Sequence, residues 1–256
     1  MVGCSKNAEQ PESRTLAESA VRKPAGAGES GGAEQAGQQK HPARGSATIR
    51  GMVRFTGEVP EPVPIDMSAD PYCKRINGPG QTLKTIEVDE QGGLADAFVY
   101  VASGLEGMSF DPPVGQVVLD QRNCRFVPRV FGIRVGQDLV IMNDDATLHN
   151  VHSLARRSRG FNLGMPMKGM KTVRRFSRPE VLVRIKCDVH PWMSAYAGVV
   201  DHPFYAVTDE HGRFEISGLP AGEYTIAAVH PKAGRVEARV RVKDGELRTQ
   251  VLELAG

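Results

Sequence analysis

The chain has 256 residues, of which 40% are hydrophobic and 24% are charged, and its formal net charge is +2. This length can hold one or two domains with a sizeable core. The near-neutral charge gives no overall basic field, so nucleic acid is not an expected partner. No run of eighteen apolar residues occurs, and no membrane-spanning helix is therefore expected.

Residues 1–46 are rich in small, polar and charged residues and are predicted to be a disordered tether. At its start, Val2-Gly3-Cys4-Ser5 resembles the end of a bacterial lipoprotein signal, which implies lipidation of Cys4 and a membrane anchor. The apolar segment that should precede such a cysteine is missing. Either the true start lies upstream of Met1, or Cys4 is an ordinary N-terminal cysteine.

From residue 47 onward, short segments with the alternating pattern of β-strands follow one another, and helical patterns are nearly absent. This spacing predicts an all-β protein built of β-sandwiches. The predicted strands up to residue 200 are 48–55, 85–88, 95–101, 116–120, 130–135, 139–142, 173–176, 181–185 and 197–200.

Cys187, His190 and Met193 lie in one short C-x-x-H-x-x-M loop, with Pro191 directly after the histidine. A second histidine, His149, comes after the strand-like run 138–143. A thiolate, two imidazoles and a weak axial thioether are the ligand set of a blue-copper site. A tight turn is needed to bring three of these groups to one ion, and the loop is short enough to form one.

Residues 116–200 resemble the cupredoxin family, closest to its amicyanin-type and plastocyanin-type members, in the C-x-x-H-P-aromatic-M loop and in the H-N-V-H sequence at His149. The resemblance implies a Greek-key β-sandwich that binds one type 1 copper ion through His149, Cys187, His190 and Met193. It also implies that Asn150 positions the ligand loop by hydrogen bonding, although Asn150 can instead be a plain turn residue.

A cupredoxin is expected to carry single electrons between redox partners, such as a cytochrome or a dehydrogenase. In the family the edge of the C-terminal histidine lies near the surface in an apolar patch, so His190 is expected there. Blue-copper proteins work in oxidising compartments, which favours a Cys73–Cys124 disulfide over two buried thiols. With Cys4, this implies a periplasmic, outer-membrane or cell-surface lipoprotein of a bacterium.

Other nearby residues allow more than one interpretation. His152 is a rival fourth ligand, but on an extended strand it faces away from His149. Met165, Met167 and Met170 are either loop packing or soft ligands for Cu(I). A basic run either forms a solvated face or steers an acidic redox partner; it comprises Arg156, Arg157, Arg159, Lys168, Lys171, Arg174, Arg175 and Arg178.

After residue 200, the hairpin sequence Asp209-x-x-Gly212 and the turn Pro220-x-Gly222-x-Tyr224 resemble the carboxypeptidase regulatory-like (transthyretin-like) sandwich. The remaining residues are too few for a whole sandwich. We therefore predict that 47–114 and 202–256 form this module together, with a cupredoxin domain of residues 115–201 inserted into it. One continuous sandwich or a tandem pair are the alternatives.

No known catalytic motif occurs in the sequence, and a non-enzymatic electron carrier is the predicted function. Two other functions remain open. The same ligands would serve a copper carrier or sensor, in which the metal exchanges readily. A β-sandwich without metal would serve a structural or binding role, and would take up no copper.

Overall fold

The computed structural model describes residues 44–256. Cys4 and most of the predicted tether lie outside these residues. The described chain is almost entirely β-structure, which confirms the predicted all-β class. No helix among residues 44–256 is long and apolar enough to cross a membrane.

Two of the sheets are built from strands at the two ends of the described chain. One has the order β15-β1-β18 and the other the order β14-β4-β16-β17. Their strands are β1 (Ala47–Phe55), β4 (Phe98–Ser103), β14 (Tyr205–Val207), β15 (Arg213–Leu219), β16 (Gly222–His230), β17 (Gly234–Val242) and β18 (Leu247–Leu254).

Two further sheets are built from the middle of the chain. Their orders are β10-β9-β12-β13-β7 and β11-β8-β5-β6. The strands are β5 (Gln116–Arg122), β6 (Arg125–Val127), β7 (Val130–Arg134), β8 (Asp138–Asn143), β9 (His149–Ser153), β10 (Asn162–Met165), β11 (Met170–Arg174), β12 (Glu180–Lys186) and β13 (Ser194–Val200).

Each group of sheets has its own hydrophobic core. The pairing of β1 with β15 and β18 joins residues that are far apart in sequence, as an inserted domain requires. The division into an outer module and an inserted domain stays a prediction, as does the likeness of the outer module to the transthyretin-like family.

The segment between β1 and β4, two strands of the same group of sheets, differs from its prediction in two ways. It contains β2 (Val63–Pro64), helix α1 (Pro71–Asn77) and β3 (Thr82–Leu83). The predicted strand at 85–88 is wrong: Val88 makes a single bridge to Leu94. The Thr85 carbonyl accepts a hydrogen bond from the Arg129 guanidinium at 2.8 Å instead of one from a neighbouring strand.

Helix α1 was not predicted because its seven residues are too few to show helical periodicity. Its start is nevertheless well defined chemically. The Asp70 carboxylate accepts a hydrogen bond from the backbone N–H of Cys73 at 2.9 Å, and Pro71 occupies the first turn. An N-cap aspartate followed by proline is a typical helix start.

The two groups of sheets meet at a small aromatic cluster. Phe98 of β4 is fully buried there, together with Val130 of β7 and Val200 of β13. Gly132 and Gly198, on β7 and β13, let the aromatic rings of Tyr205 and Phe98 approach the backbone. A Cβ atom at position 198 would lie 2.4 Å from the ring of Phe98, closer than any real carbon contact.

We expect Gly198→Ala to destabilise the protein by about 1 to 3 kcal/mol, because the buried Phe98 ring must shift to admit the methyl group. Urea unfolding measures this change. Gly164→Ala is the matched control, since a Cβ atom at Gly164 meets nothing within 4 Å. Equal stabilities of the two variants would contradict the close packing at Gly198.

Candidate metal centre

The site lies where β9 meets the loop between β12 and β13. His149 is the first residue of β9, Cys187 directly follows β12, and Met193 directly precedes β13. In this loop the Cys187 N–H donates to the Met193 carbonyl at 3.2 Å, and the Met193 N–H donates to the His190 carbonyl at 2.9 Å. These bonds close the tight turn that the C-x-x-H-x-x-M spacing predicts.

Three of the predicted ligands present their donor atoms to one another. The Nδ1 atoms of His149 and His190 are 2.9 Å apart, and Cys187 Sγ is 3.7 Å from His190 Nδ1. The three side chains are at most 2% exposed, and their donor atoms all lie within 4.8 Å of one another. Met193 is also buried, in the same hydrophobic cluster as Cys187.

The environment of Cys187 favours its thiolate form. Burial alone would raise the pKa of the thiol, but hydrogen bonds from His149, His190 and two backbone N–H groups outweigh burial and lower the pKa to about 6. The two N–H groups belong to Asn150 and His190, each 3.4 Å from Sγ. A thiolate is the form of cysteine that binds metal ions.

Each candidate histidine ligand is held on its far side by a carboxylate. His149 Nε2 lies 2.9 Å from Asp145 Oδ2, and His190 Nε2 lies 3.0 Å from Asp70 Oδ2. A carboxylate that accepts a hydrogen bond from Nε2 holds the ring so that Nδ1 faces the other donors. Burial opposes the charged form of His149, but Asp145 and Cys187 raise its pKa overall.

The Cys73–Cys124 disulfide links two residues whose backbone N–H groups bond these two carboxylates. Asp70 accepts a hydrogen bond from the Cys73 N–H at 2.9 Å, and Asp145 accepts one from the Cys124 N–H at 2.7 Å. The disulfide therefore fixes the distance between the two groups that orient the imidazoles. It also touches the site directly, with Cys73 Sγ 3.8 Å from His190 Nε2.

Asp70 and Asp145 were not among the predicted site residues. Asp145 lies four residues before His149, in the loop after β8, and this proximity was the available signal. Asp70 is separated from His190 by 120 residues. Only the chain fold brings them together.

Asn150 connects the two segments that carry the histidines. Its Oδ1 accepts the backbone N–H of Asp188, and its Nδ2 donates to Asp188 Oδ2 at 3.2 Å. Both contacts hold β9 against the residue that follows Cys187. These hydrogen bonds place Asn150 beside the loop that contains Cys187, and its role in positioning a metal ligand stays a prediction.

The expectation that the edge of His190 lies at the surface is wrong. His190 is only 2% exposed, because Asp70 and Cys73 cover its Nε2 edge. The covering residues belong to the cap and first turn of α1, which the sequence pattern did not reveal.

The remaining predicted residues take up different places. His152 points away from the donor atoms and bonds Asp188 Oδ2 through Nδ1 at 2.9 Å. Met165 is buried and its sulfur accepts a hydrogen bond from Gln121 at 3.1 Å, whereas Met167 is 64% exposed. The basic run is mostly exposed, with Arg175 paired to Asp138.

The donor set fits copper. Two imidazoles and a thiolate with a methionine in the same loop are the ligands of type 1 copper sites. The carboxylate partner of each imidazole matches the support that metal-binding histidines usually receive.

Solved structures similar to this chain are cupredoxins. The Cu-containing nitrite reductase of Thermus scotoductus SA-01 is 21% identical with a TM-score of 0.31, over 39% of this chain and 25% of that chain. An oxidized amicyanin variant is 24% identical with a TM-score of 0.30, over 35% of this chain and 86% of the amicyanin chain.

The purple cupredoxin of Nitrosopumilus maritimus is 21% identical with a TM-score of 0.29, over 33% of this chain and 99% of that chain. This chain thus spans only a quarter of the nitrite reductase. At these scores the likenesses carry no argument about function. No protein-family model matches the chain, and no curated protein matches it significantly.

We expect the Cys187 thiol of the metal-free protein to titrate near pH 6 instead of near 9. The difference in thiolate absorbance at 240 nm between this protein and Cys187→Ser, followed against pH, measures the midpoint. The lowered pKa stabilises the fold fully above pH 9, and this contribution disappears as pH falls through about 6. A midpoint above pH 8 would contradict the hydrogen-bonded environment described for Sγ.

We expect Asp145→Asn to weaken copper binding by about 10-fold to 100-fold, because the amide cannot hold the His149 ring as the carboxylate does. Competition with a chelator of known affinity measures the change, and circular dichroism monitors the fold. Asp89→Asn is the matched control, since Asp89 bonds His211 at 3.1 Å outside the site. An affinity within twofold of the original protein would exclude a positioning role for Asp145.

Proposed function

We propose that this chain is a type 1 copper protein that carries single electrons between redox partners, with one copper ion per chain. The observation that carries the proposal is the convergence of two imidazole Nδ1 atoms and the Cys187 sulfur in one buried place. His149, Cys187 and His190 would hold the metal, and Met193 would be its weak axial ligand.

Bound copper supplies a one-electron couple between Cu(I) and Cu(II). The protein's part is to keep the ligands in place in both oxidation states. Asp145 and Asp70 restrain the two imidazole rings, and the N–H groups of Asn150 and His190 stabilise negative charge on Cys187. Burial of all three donors keeps bulk water from the site.

We also propose an extracytoplasmic location for the protein in a bacterium, with a lipid anchor at Cys4. The Cys73–Cys124 disulfide supports this location, because disulfides persist mainly in oxidising compartments. A cytochrome or a dehydrogenase would serve as the redox partner. No catalytic reaction is proposed.

The strands outside the copper-binding region would form a carboxypeptidase regulatory-like module that acts as a scaffold. Its support is the pairing of β1 and β4 with strands of residues 205–254. This module would hold the inserted copper domain through β7 and β13, which meet it at Phe98.

We expect the purified full chain to turn blue when Cu(II) is added, with an intense thiolate-to-copper band. Cys187→Ser should lose this band. Met193→Leu should keep the colour and raise the reduction potential, because loss of a donor destabilises Cu(II) more than Cu(I). Visible and electron paramagnetic resonance spectra with voltammetry provide the measurements.

His152→Ala is the control, since its ring bonds Asp188 and not the donor atoms. It should leave the band unchanged. A protein that takes up no copper would exclude the electron-carrier function and favour a structural or binding β-sandwich. Copper that binds but exchanges rapidly, without a reversible couple, would instead indicate a carrier or sensor.

A further inference from the structure

The edge of His190, the most direct exit for an electron, is covered by other residues. Trp192 offers a second exit. His190 Nε2 is covered by Asp70 and Cys73, and the side chain is 2% exposed. Trp192, two residues further along the ligand loop, has its ring centroid 5.0 Å from that of His190. Trp192 is partly exposed, so it offers a path from the site to the surface.

We propose that the groove beside Trp192 is the docking face for a redox protein with a carboxylate-rich surface, and that Trp192 carries the electron across. This inference rests on the proposed function, and it names the partner's chemistry. In the step, Cu(I) becomes Cu(II) and a haem or copper acceptor on the partner gains the single electron. No proton or bond is exchanged.

The groove has a volume of about 650 Å³ and combines both parts of the described chain. The groove is lined by Pro191, Trp192 and Met193 of the ligand loop and by Ser194 at the start of β13. Thr85, Glu87 and Lys232 come from segments outside the copper-binding region. A partner seated here would therefore lie against the ligand loop itself.

The charges that line the groove are mostly positive. Five basic residues and two acidic residues, Glu87 and Asp96, line it, which leaves an excess of three positive charges. Asp96 is moreover paired with one of the cations, Arg129, at 3.4 Å. The five basic residues are Lys84, Arg125, Arg129, Arg184 and Lys232.

The positions of these cations favour a broad acidic partner. Lys84, Arg184 and Lys232 are all exposed and belong to three separate segments of the chain. None of the three forms an ion pair with another residue of 44–256. Complementary charge steers a partner to such a surface and fixes its orientation.

The position of Trp192 is well defined. Its indole N–H donates to the Cys124 carbonyl at 3.0 Å, which ties the ring to the disulfide. A conduit residue must hold a constant distance to the metal ligand, and this bond provides that restraint. Trp192 is also the single tryptophan of the chain, so its fluorescence reports on the groove alone.

The test uses the copper-loaded full chain and two probes. Polyglutamate represents a carboxylate-rich surface, and its binding is read from Trp192 fluorescence. Hexacyanoferrate(III) oxidises the reduced protein in a stopped-flow experiment. We expect polyglutamate to shift the Trp192 emission at low salt and to slow the oxidation at least fivefold, with both effects lost at high salt.

The double variant Arg184→Glu with Lys232→Glu should abolish both effects of polyglutamate. Arg239→Glu with Arg248→Glu is the matched control, since it changes the net charge equally with exposed residues that do not line the groove. It should behave as the original protein does. The blue band of each variant shows separately whether the copper site itself is intact.

Equal behaviour of the two double variants, with the blue band present, would overturn the groove as a docking face. Polyglutamate binding that leaves the oxidation rate unchanged would show an acidic-peptide site without electron transfer, and would also overturn the proposal. If the rate of oxidation by hexacyanoferrate depends on Arg184 and Lys232 but polyglutamate does not bind, the groove is a site for small anions only and not a docking face. Absence of the blue band in the original protein would instead defeat the proposed function.

Trp192→Leu tests the conduit. We expect it to slow oxidation by hexacyanoferrate several-fold while keeping the blue band, because it removes the ring beside His190. Trp192→Phe keeps an aromatic ring and should restore most of the rate. Equal rates in all three proteins would exclude Trp192 as the path.

Discussion

The Cys73–Cys124 disulfide is the constraint on which the geometry of the candidate metal centre depends. Each half-cystine donates its backbone N–H to one of the two carboxylates that hold the imidazole rings. The bridge also fixes Cys124, whose carbonyl accepts the indole N–H of Trp192. One covalent link thus helps to position both candidate histidine ligands and the aromatic ring beside them. Reduction of this bond would loosen all three at once.

Helix α1 has only seven residues, but its cap contacts the candidate site. The carboxylate of its cap residue, Asp70, has three partners: Oδ1 accepts from the Cys73 N–H, and Oδ2 bonds His190 and accepts from the Thr147 hydroxyl. The same carboxylate therefore caps the helix and restrains the candidate ligand His190. This carboxylate also covers the imidazole edge of His190, whereas the neighbouring loop residue Trp192 is partly exposed.

The outer strands matter to the site through β13, which begins next to Met193 and passes through the aromatic cluster at Phe98. The Phe98 ring packs against Gly198 of this strand. The Tyr205 ring packs in the same way against Gly132 of the parallel neighbour β7. This close packing joins the two groups of sheets. It also brings Lys232 of one group to the groove that contains Trp192 of the other.

The sequence by itself determined the all-β class and the loop that contains Cys187, His190 and Met193. Strand alternation and a short ligand spacing are local properties, which neighbouring residues decide. Two predictions failed: the segment 85–88 forms a single bridge, between Val88 and Leu94, instead of a strand, and α1 is too short to show helical periodicity. The exposure of His190 was expected from family resemblance, and the chain fold reversed it.

Only the tertiary structure decided which groups surround the ligands. Asp70 reaches His190 across 120 residues, and Lys84 joins Arg184 and Lys232 in one groove. Such contacts depend on how distant strands pair and on where a connecting segment crosses the site. No local pattern encodes these contacts, because hydrogen bonding and charge act through space, whereas propensity and periodicity act along the chain.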